Sequence, residues 1–166
     1  MSPINVMLDL DGVMVNLDKK IQEVFGTDYK NVPSNVLWDT LGDISNLFLN
    51  LEPMPNYLTL FNYLKTLEDN GLIHLEILTS LPYSTKKLVT SKQDKTEWVR
   101  QYLDKDIKVN TVVGGAKKAK FVTQPTDILI DDLERNITAW QNAGGVGILH
   151  KSVAYTIAAI GHHVGE

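Results

Sequence analysis

Val6-Met7-Leu8-Asp9-Leu10-Asp11-Gly12-Val13 is an apolar run that closes on two carboxylates one residue apart and then a glycine. It reads as a buried strand with polar chemistry at its C-terminal end. Side chains alternate along a strand, so Asp9 and Asp11 share a face if the strand continues through them. If it stops between them, the Asp11 backbone carbonyl is released to act as a ligand. Gly12 permits a sharp turn, because it tolerates backbone angles that a Cβ forbids.

Outward from this stretch, short runs rich in Ile, Val or Leu occupy residues 4–8, 75–78, 109–113, 128–130 and 146–149. Near-continuous apolar runs suit strands covered on both faces. Most are separated by segments of helical period. Residues 55–70 place Tyr57, Leu60, Phe61, Leu64 and Leu67 on one stripe, with Pro55 in the first turn and Gly71 as the stop. Residues 94–103 offer Trp98, Val99 and Tyr102, and residues 135–143 offer Ile137 and Trp140 ahead of Gly144-Gly145. This alternation predicts an α/β fold, a Rossmann-like parallel sheet of about five strands flanked by helices and joined by right-handed crossovers.

The interval at residues 16–52 is too long for a simple crossover. It mixes helix-like stretches at 17–25 and 46–51 with Gly26, Pro33 and Gly42. The spacing predicts a small helical cap there, inserted after the first strand into a core formed by residues 1–15 and 53–166. The tail His162-His163-Val164-Gly165-Glu166 is expected to fray, with its histidines solvated.

A chain of 166 residues holds one domain with a full core and a small lid. A net charge of -4 argues against a polymeric nucleic-acid partner, which a basic stripe would recognise, and leaves a single nucleotide open. The absence of cysteine excludes a disulfide scaffold, a thiolate zinc site and a cysteine nucleophile. The first apolar segment is short, broken by Asp9 and Asp11, and preceded by no basic leader. It is neither signal peptide nor membrane span, so a cytoplasmic location without a membrane partner is expected.

Four clusters fall at or just after the C-terminal ends of predicted strands, the edge where open α/β sheets bind ligands. They are Asp9 with Asp11; Thr79-Ser80; the lysines Lys117, Lys118 and Lys120; and Asp131-Asp132. Each alone has an ordinary reading, since Asp serves turns, Thr-Ser pairs cap helices and lysines line solvated faces. Together they mean more. Four carboxylates converging from two strands repel one another unless a cation sits among them, while a hydroxyl and a lysine complement an anion. Hard oxygen ligands without His or Cys favour Mg²⁺ sharing phosphate oxygens. A carboxylate facing phosphorus can attack it and split one hard displacement into two easier ones. A second carboxylate off the metal can move the protons.

Asp9-Leu10-Asp11-Gly12-Val13, Thr79 after its strand, a lysine near a helix start and Asp131-Asp132 resemble the four motifs of the haloacid dehalogenase (HAD) superfamily. The resemblance implies Asp9 as nucleophile, Asp11 as general acid/base, and Thr79 with Ser80 as phosphate ligands. It implies Lys118 as the phosphate clamp, with Lys117 and Lys120 as rivals for that role. Asp131 and Asp132 would hold Mg²⁺ beside Asp9 and the Asp11 carbonyl. Leu51-Glu52-Pro53-Met54-Pro55, Leu78-Thr79-Ser80-Leu81-Pro82, Lys95-Thr96-Glu97-Trp98-Val99 and Leu129-Ile130-Asp131-Asp132 are further similar, in the same order, to segments of the 5'(3')-deoxyribonucleotidases. That family removes phosphate from nucleoside monophosphates and carries a small helical cap in the interval seen here.

The resemblance implies a small-molecule phosphomonoester as partner, a (deoxy)ribonucleoside 5'-monophosphate hydrolysed through an aspartyl phosphate. A sugar phosphate is the alternative. A phospho-accepting signalling domain is the alternative of another class, disfavoured by the large insertion after Val13. In the cap, Trp38 and Phe48 are the candidates for stacking on a base, while Phe25 is assigned to the cap's own core. Phe48 lies just before Leu51-Glu52-Pro53, where the resembling family places a substrate-facing aromatic. Lys95 and Trp98 read as structural, the lysine solvated and the tryptophan packing its helix. Gly114-Gly115 is too sparse for a dinucleotide fingerprint.

Overall fold

The computed structural model describes residues 2–82 and 88–165. The first strand, β1, is Ile4–Leu8 and ends before either aspartate of the opening stretch. The insertion follows, with α1 at Leu17–Phe25, a 3-10 turn at Tyr29–Asn31 and α2 at Ser34–Leu41. Then come α3 (Tyr57–Asp69), β2 (Ile73–Leu81), α4 (Ser91–Tyr102), β3 (Val109–Val113) and a 3-10 segment (Gly115–Phe121). The chain closes with β4 (Ile128–Asp131), α5 (Glu134–Asn142), β5 (Val146–Leu149) and α6 (Val153–Val164). The strands form one five-stranded sheet in the order β3-β2-β1-β4-β5, and every pairing is parallel.

Strand alternation divides the core between the two faces of this sheet. Val6, Leu8, Leu75, Ile77, Ile128, Ile130 and Ile148 join Leu60 and Leu64 of α3, Trp98 of α4 and Ile160 of α6 in the larger cluster. Met7, Leu78, Leu129 and Leu149 turn the other way, toward Ile137 and Trp140 of α5 and Phe121. Because β1 lies in the middle of the order, its C-terminal end faces the ends of both β2 and β4. That position brings residues distant in sequence to one edge.

Several local expectations are corrected. Residues 46–50 form turns, and Asn46 adopts a left-handed φ of 51°, which a helix cannot accommodate. The helix of that region is α2, which starts directly after Pro33; the Pro33 carbonyl accepts the Leu37 N–H at 2.9 Å. Proline breaks a helix interior and is at home at its start. The tail does not fray at His162: α6 continues through both histidines to Val164, begun by a Ser152 side chain that accepts the Tyr155 N–H. Glu166 lies outside the described residues.

The insertion shares the main core, since Ile21, Leu37, Leu41, Leu47, Phe48 and Leu51 belong to the same cluster as β1. Its two connections run side by side, with Asn16 N–H bonded to the Glu52 carbonyl at 2.7 Å and Met54 N–H to the Met14 carbonyl at 2.8 Å. Among the described residues no helix is long and apolar enough to cross a membrane.

Candidate active site

The strand stops at Leu8 because the chain then folds onto itself. The Leu10 carbonyl accepts the N–H groups of Val13, Met14 and Val15, and Gly12, at φ 83°, makes the turn. Asp9 still touches the sheet, donating its N–H to the Ile130 carbonyl at 3.0 Å, while Asp11 has left it. The two aspartates therefore meet different partners. Asp9 Oδ1 accepts from Lys118 Nζ at 2.8 Å, and Asp11 Oδ2 accepts from Lys95 Nζ at 2.8 Å.

Lys118 is buried and donates also to Asp131 Oδ2 at 2.7 Å. Burial acts against its charge, but the carboxylates of Asp9 and Asp131 more than offset this and hold the ammonium above the ordinary lysine range. Lys117 and Lys120, by contrast, are exposed. Lys118 sits on a 3-10 segment, not an α-helix.

Asp131 closes β4, with Oδ1 accepting the Leu133 N–H at 2.9 Å. Asp9, Asp131 and Asp132 each bring a carboxylate oxygen within 4.8 Å of the others. Burial pushes the Asp9 carboxyl well above its usual range, Lys118 opposes the shift, and Asp131, Asp132 and Asp11 add to it. Burial and the neighbouring Asp131 raise Asp132 to about 7. Asp132 Oδ1 is buried and has no hydrogen-bond partner among the described residues. Carboxylates arranged at this cost, one of them with an orphaned oxygen, fit a cation that prefers oxygen ligands. Gly12 is required for space as well as angle, because a Cβ there would lie 2.0 Å from Asp132 Oδ2.

The largest departure from the sequence reading is Lys95. It is not solvated: it is 3% exposed and donates to Asp11 Oδ2, to Thr79 Oγ1 at 3.1 Å and to the Ser80 carbonyl at 2.7 Å. Its ammonium also lies 4.5 Å from the centroid of the Phe48 ring. The available signal was its helical spacing: Lys95 falls on the buried side of α4 with Ser91, Trp98 and Val99, where a solvated lysine does not belong. Trp98 packs as expected, stacking on Tyr102 and donating Nε1–H to the Leu51 carbonyl at 2.9 Å.

These groups form the floor of a cleft of about 580 Å³. Asp9, Asp11, Ser80, Lys95, Lys118 and Asp132 line its base, and Tyr29, Trp38 and Phe48 of the insertion line its wall. Phe48 is buried and tilted against Trp38, ring centroids 6.4 Å apart. Thr79 is fully buried beside the base, reached through Lys95.

Residues 2–158 match the family described as 5' nucleotidase, deoxy (pyrimidine), cytosolic type C protein (NT5C). The chain belongs to this family. Among curated proteins none matches the chain. Solved structures similar in fold include a HAD-family hydrolase from Deinococcus radiodurans with bound phosphate and sodium, at TM-score 0.56 and 12% identity, covering 98% of this chain and 97% of that one. Another is an aspartate-to-alanine variant of a HAD-family enzyme from Bacteroides thetaiotaomicron in complex with magnesium and inorganic phosphate, at TM-score 0.51 and 18% identity, covering 90% and 95%. A third is an uncharacterized protein from Corynebacterium glutamicum, at TM-score 0.52 and 16% identity, covering 97% and 94%. The enzyme is a phosphoric monoester hydrolase whose fold is like that of HAD-family hydrolases, and its acidic group could hold a metal ion.

Proposed function

We propose that this enzyme is a Mg²⁺-dependent 5'-nucleotidase acting on (deoxy)ribonucleoside monophosphates through an aspartyl-phosphate intermediate. The observation that carries the reading is the convergence of Asp9, Asp131 and Asp132 with Lys118 at the base of a cleft whose wall bears Tyr29, Trp38 and Phe48. Asp9, Asp131, Asp132 and the Asp11 carbonyl would hold the ion, which when bound neutralises the clustered carboxylates and the phosphate charge.

In the first step an Asp9 oxygen attacks phosphorus, forming an acyl phosphate as the ester P–O bond breaks. Asp11 gives its proton to the leaving alkoxide. In the second step Asp11 takes a proton from water, the water oxygen attacks phosphorus, and phosphate leaves as the Asp9 carboxylate is restored. Lys118 is placed to balance charge on Asp9 and on the transferring group. Ser80 of the cleft lining would receive a phosphate oxygen; Thr79, fully buried with its hydroxyl bonded to Lys95, would do so only after turning from that lysine. Lys95 holds the Asp11 carboxylate, so that the proton-transfer group has a fixed direction. The aromatic wall favours a flat base over a sugar as the leaving group's bulk.

The test is a phosphate-release panel over ribo- and deoxyribonucleoside 5'-monophosphates and sugar phosphates, with and without Mg²⁺. The expected result is Mg²⁺-dependent turnover fastest on a nucleotide. Preference for a sugar phosphate over every nucleotide overturns the substrate, and near-native turnover by Asp9→Asn overturns the nucleophile.

A further inference from the structure

Of the three aromatics on the cleft wall, Phe48 is the one least able to receive a base. It is 3% exposed and belongs to the same core as β1, whereas Tyr29 and Trp38 are only partly buried. A base needs an open ring face to stack on, and a side chain this buried does not present one. The Phe48 ring is instead tilted against Trp38 and covers the Lys95 ammonium, 4.5 Å from its centroid.

This contact is held from several sides. Phe48 sits in the turn at residues 46–50, closed by the Asn50 N–H on the carbonyls of Asn46 and Leu47, both at 3.3 Å, and by Asn50 Nδ2 on the Asn46 carbonyl at 3.1 Å. Just beyond the turn, the Leu51 carbonyl accepts Trp98 Nε1–H at 2.9 Å. Trp98 lies one turn along α4 from Lys95, on the same buried side. The turn that carries the ring is thus pinned to the stretch of helix that carries the lysine.

An ammonium has three N–H donors, and Lys95 uses them on Asp11 Oδ2, Thr79 Oγ1 and the Ser80 carbonyl. The negative face of an aromatic ring attracts a cation, most strongly where water is excluded, as at a lysine 3% exposed. An aliphatic side chain would fill the same space without that attraction. Water could then reach the ammonium and compete with Asp11 for it.

We infer that Phe48 is a positioning residue for proton transfer: it holds the Lys95 ammonium on Asp11, so that the insertion takes part in the chemical step, and it leaves base stacking to Tyr29 and Trp38. The inference rests on Asp11 being the proton-transfer group of the proposed reaction.

The experiment is steady-state phosphate release at saturating Mg²⁺, on the fastest substrate of the panel above, with thermal melts as a fold control. Wild type is compared with Asp11→Asn, Lys95→Met, Phe48→Leu, the Lys95→Met/Phe48→Leu pair, and enzyme carrying mono-, di- or trifluorinated phenylalanine at position 48. Fluorination draws electron density from the ring face and nearly keeps its shape. Phe48→Leu should lower kcat roughly 5–30-fold, the size of a desolvated cation–π contact, and change KM less. The fluorinated rings should lower kcat in steps, more with each fluorine. In the Lys95→Met background Phe48→Leu should lower kcat no further, because both changes act through the same ammonium.

A Phe48→Leu loss confined to KM, or a kcat loss that multiplies with that of Lys95→Met, overturns the inference. If Asp11→Asn abolishes turnover while Phe48→Leu keeps the wild-type kcat, the positioning role fails and the proton-transfer reading stands. If Asp11→Asn turns over like wild type, that reading fails and the inference with it. Should Phe48→Leu not fold, the fluorinated series decides alone: a kcat constant across it refutes the cation–π contact as the link to Asp11.

Discussion

Replacing Lys95 with methionine removes an ammonium and keeps most of the side chain's length and packing. The lysine makes one charge-assisted bond to Asp11 at 2.8 Å and two further bonds, to Thr79 Oγ1 at 3.1 Å and the Ser80 carbonyl at 2.7 Å. A hydrogen bond to a charged group contributes about 1.5–3 kcal/mol. If that energy holds Asp11 in its proton-transfer position, its loss divides kcat by roughly 10–150, at about 1.4 kcal/mol per tenfold. KM for the substrate should change less than kcat, since Lys118 keeps its bonds to Asp9 and Asp131. The stability cost should be about 1–3 kcal/mol, because Thr79 Oγ1 and the Ser80 carbonyl each lose a donor. Asp11, at 25% side-chain exposure, can turn to water instead. The assay is steady-state phosphate release at saturating Mg²⁺ for Lys95→Met, Asp11→Asn and the double variant. Residues that act as one unit give non-additive losses, so the double should be no slower than Asp11→Asn. A double variant showing the product of both losses, or a Lys95→Met enzyme within twofold of wild type, refutes the positioning of Asp11 by Lys95.

Gly12→Ala places a methyl 2.0 Å from Asp132 Oδ2 at a φ of 83°, so phosphate release at saturating Mg²⁺ should fall at least tenfold, and wild-type activity would show that Asp132 can move freely. Trp38→Ala should raise KM for a nucleotide about tenfold, as expected for a lost stacking partner, while leaving p-nitrophenyl phosphate nearly unaffected; equal losses on both substrates would remove the aromatic wall from base recognition. Asp127 lies far from the cleft floor. Burial tends to raise its carboxyl pKa, but bonds from Thr123 N–H and Oγ1–H, Asn5 Nδ2 and Gln124 N–H hold it below the usual carboxylate range. Its folded value is the lower one, so its contribution is complete above the unfolded pKa near 4 and is lost as pH falls through the folded value. Asp127→Asn should therefore cost about 1–3 kcal/mol in urea melts at pH 7, and the gap should narrow at pH 3; a gap independent of pH contradicts the assignment.

The apolar pattern of this sequence determined the architecture: short near-continuous apolar runs alternating with period-3.6 stripes can bury their surfaces together only as a helix-covered parallel sheet. The motif residues were legible for a related reason. Asp9 and Asp131-Asp132 stand at or next to a strand end, Thr79 lies two residues inside one because β2 runs on to Leu81, and a parallel sheet gathers strand ends at one edge whatever the rest of the chain does. The end of β1 at Leu8 was foreshadowed by Gly12 but decided by the Leu10 carbonyl, which collects three N–H groups and pulls Asp11 off the sheet. Which lysine serves the site could not be read along the chain, because Lys117, Lys118 and Lys120 are equivalent in composition and only the 3-10 winding of Gly115–Phe121 turns Lys118 inward. Lys95 was misread for the same reason. A charged residue on a helix is ordinarily solvated, and what reverses that tendency is a carboxylate 84 positions away with a hydroxyl and a carbonyl 16 and 15 positions away. Local pattern carries the burial that builds the sheet; the partners that set charge, direction and proton position meet only when it closes.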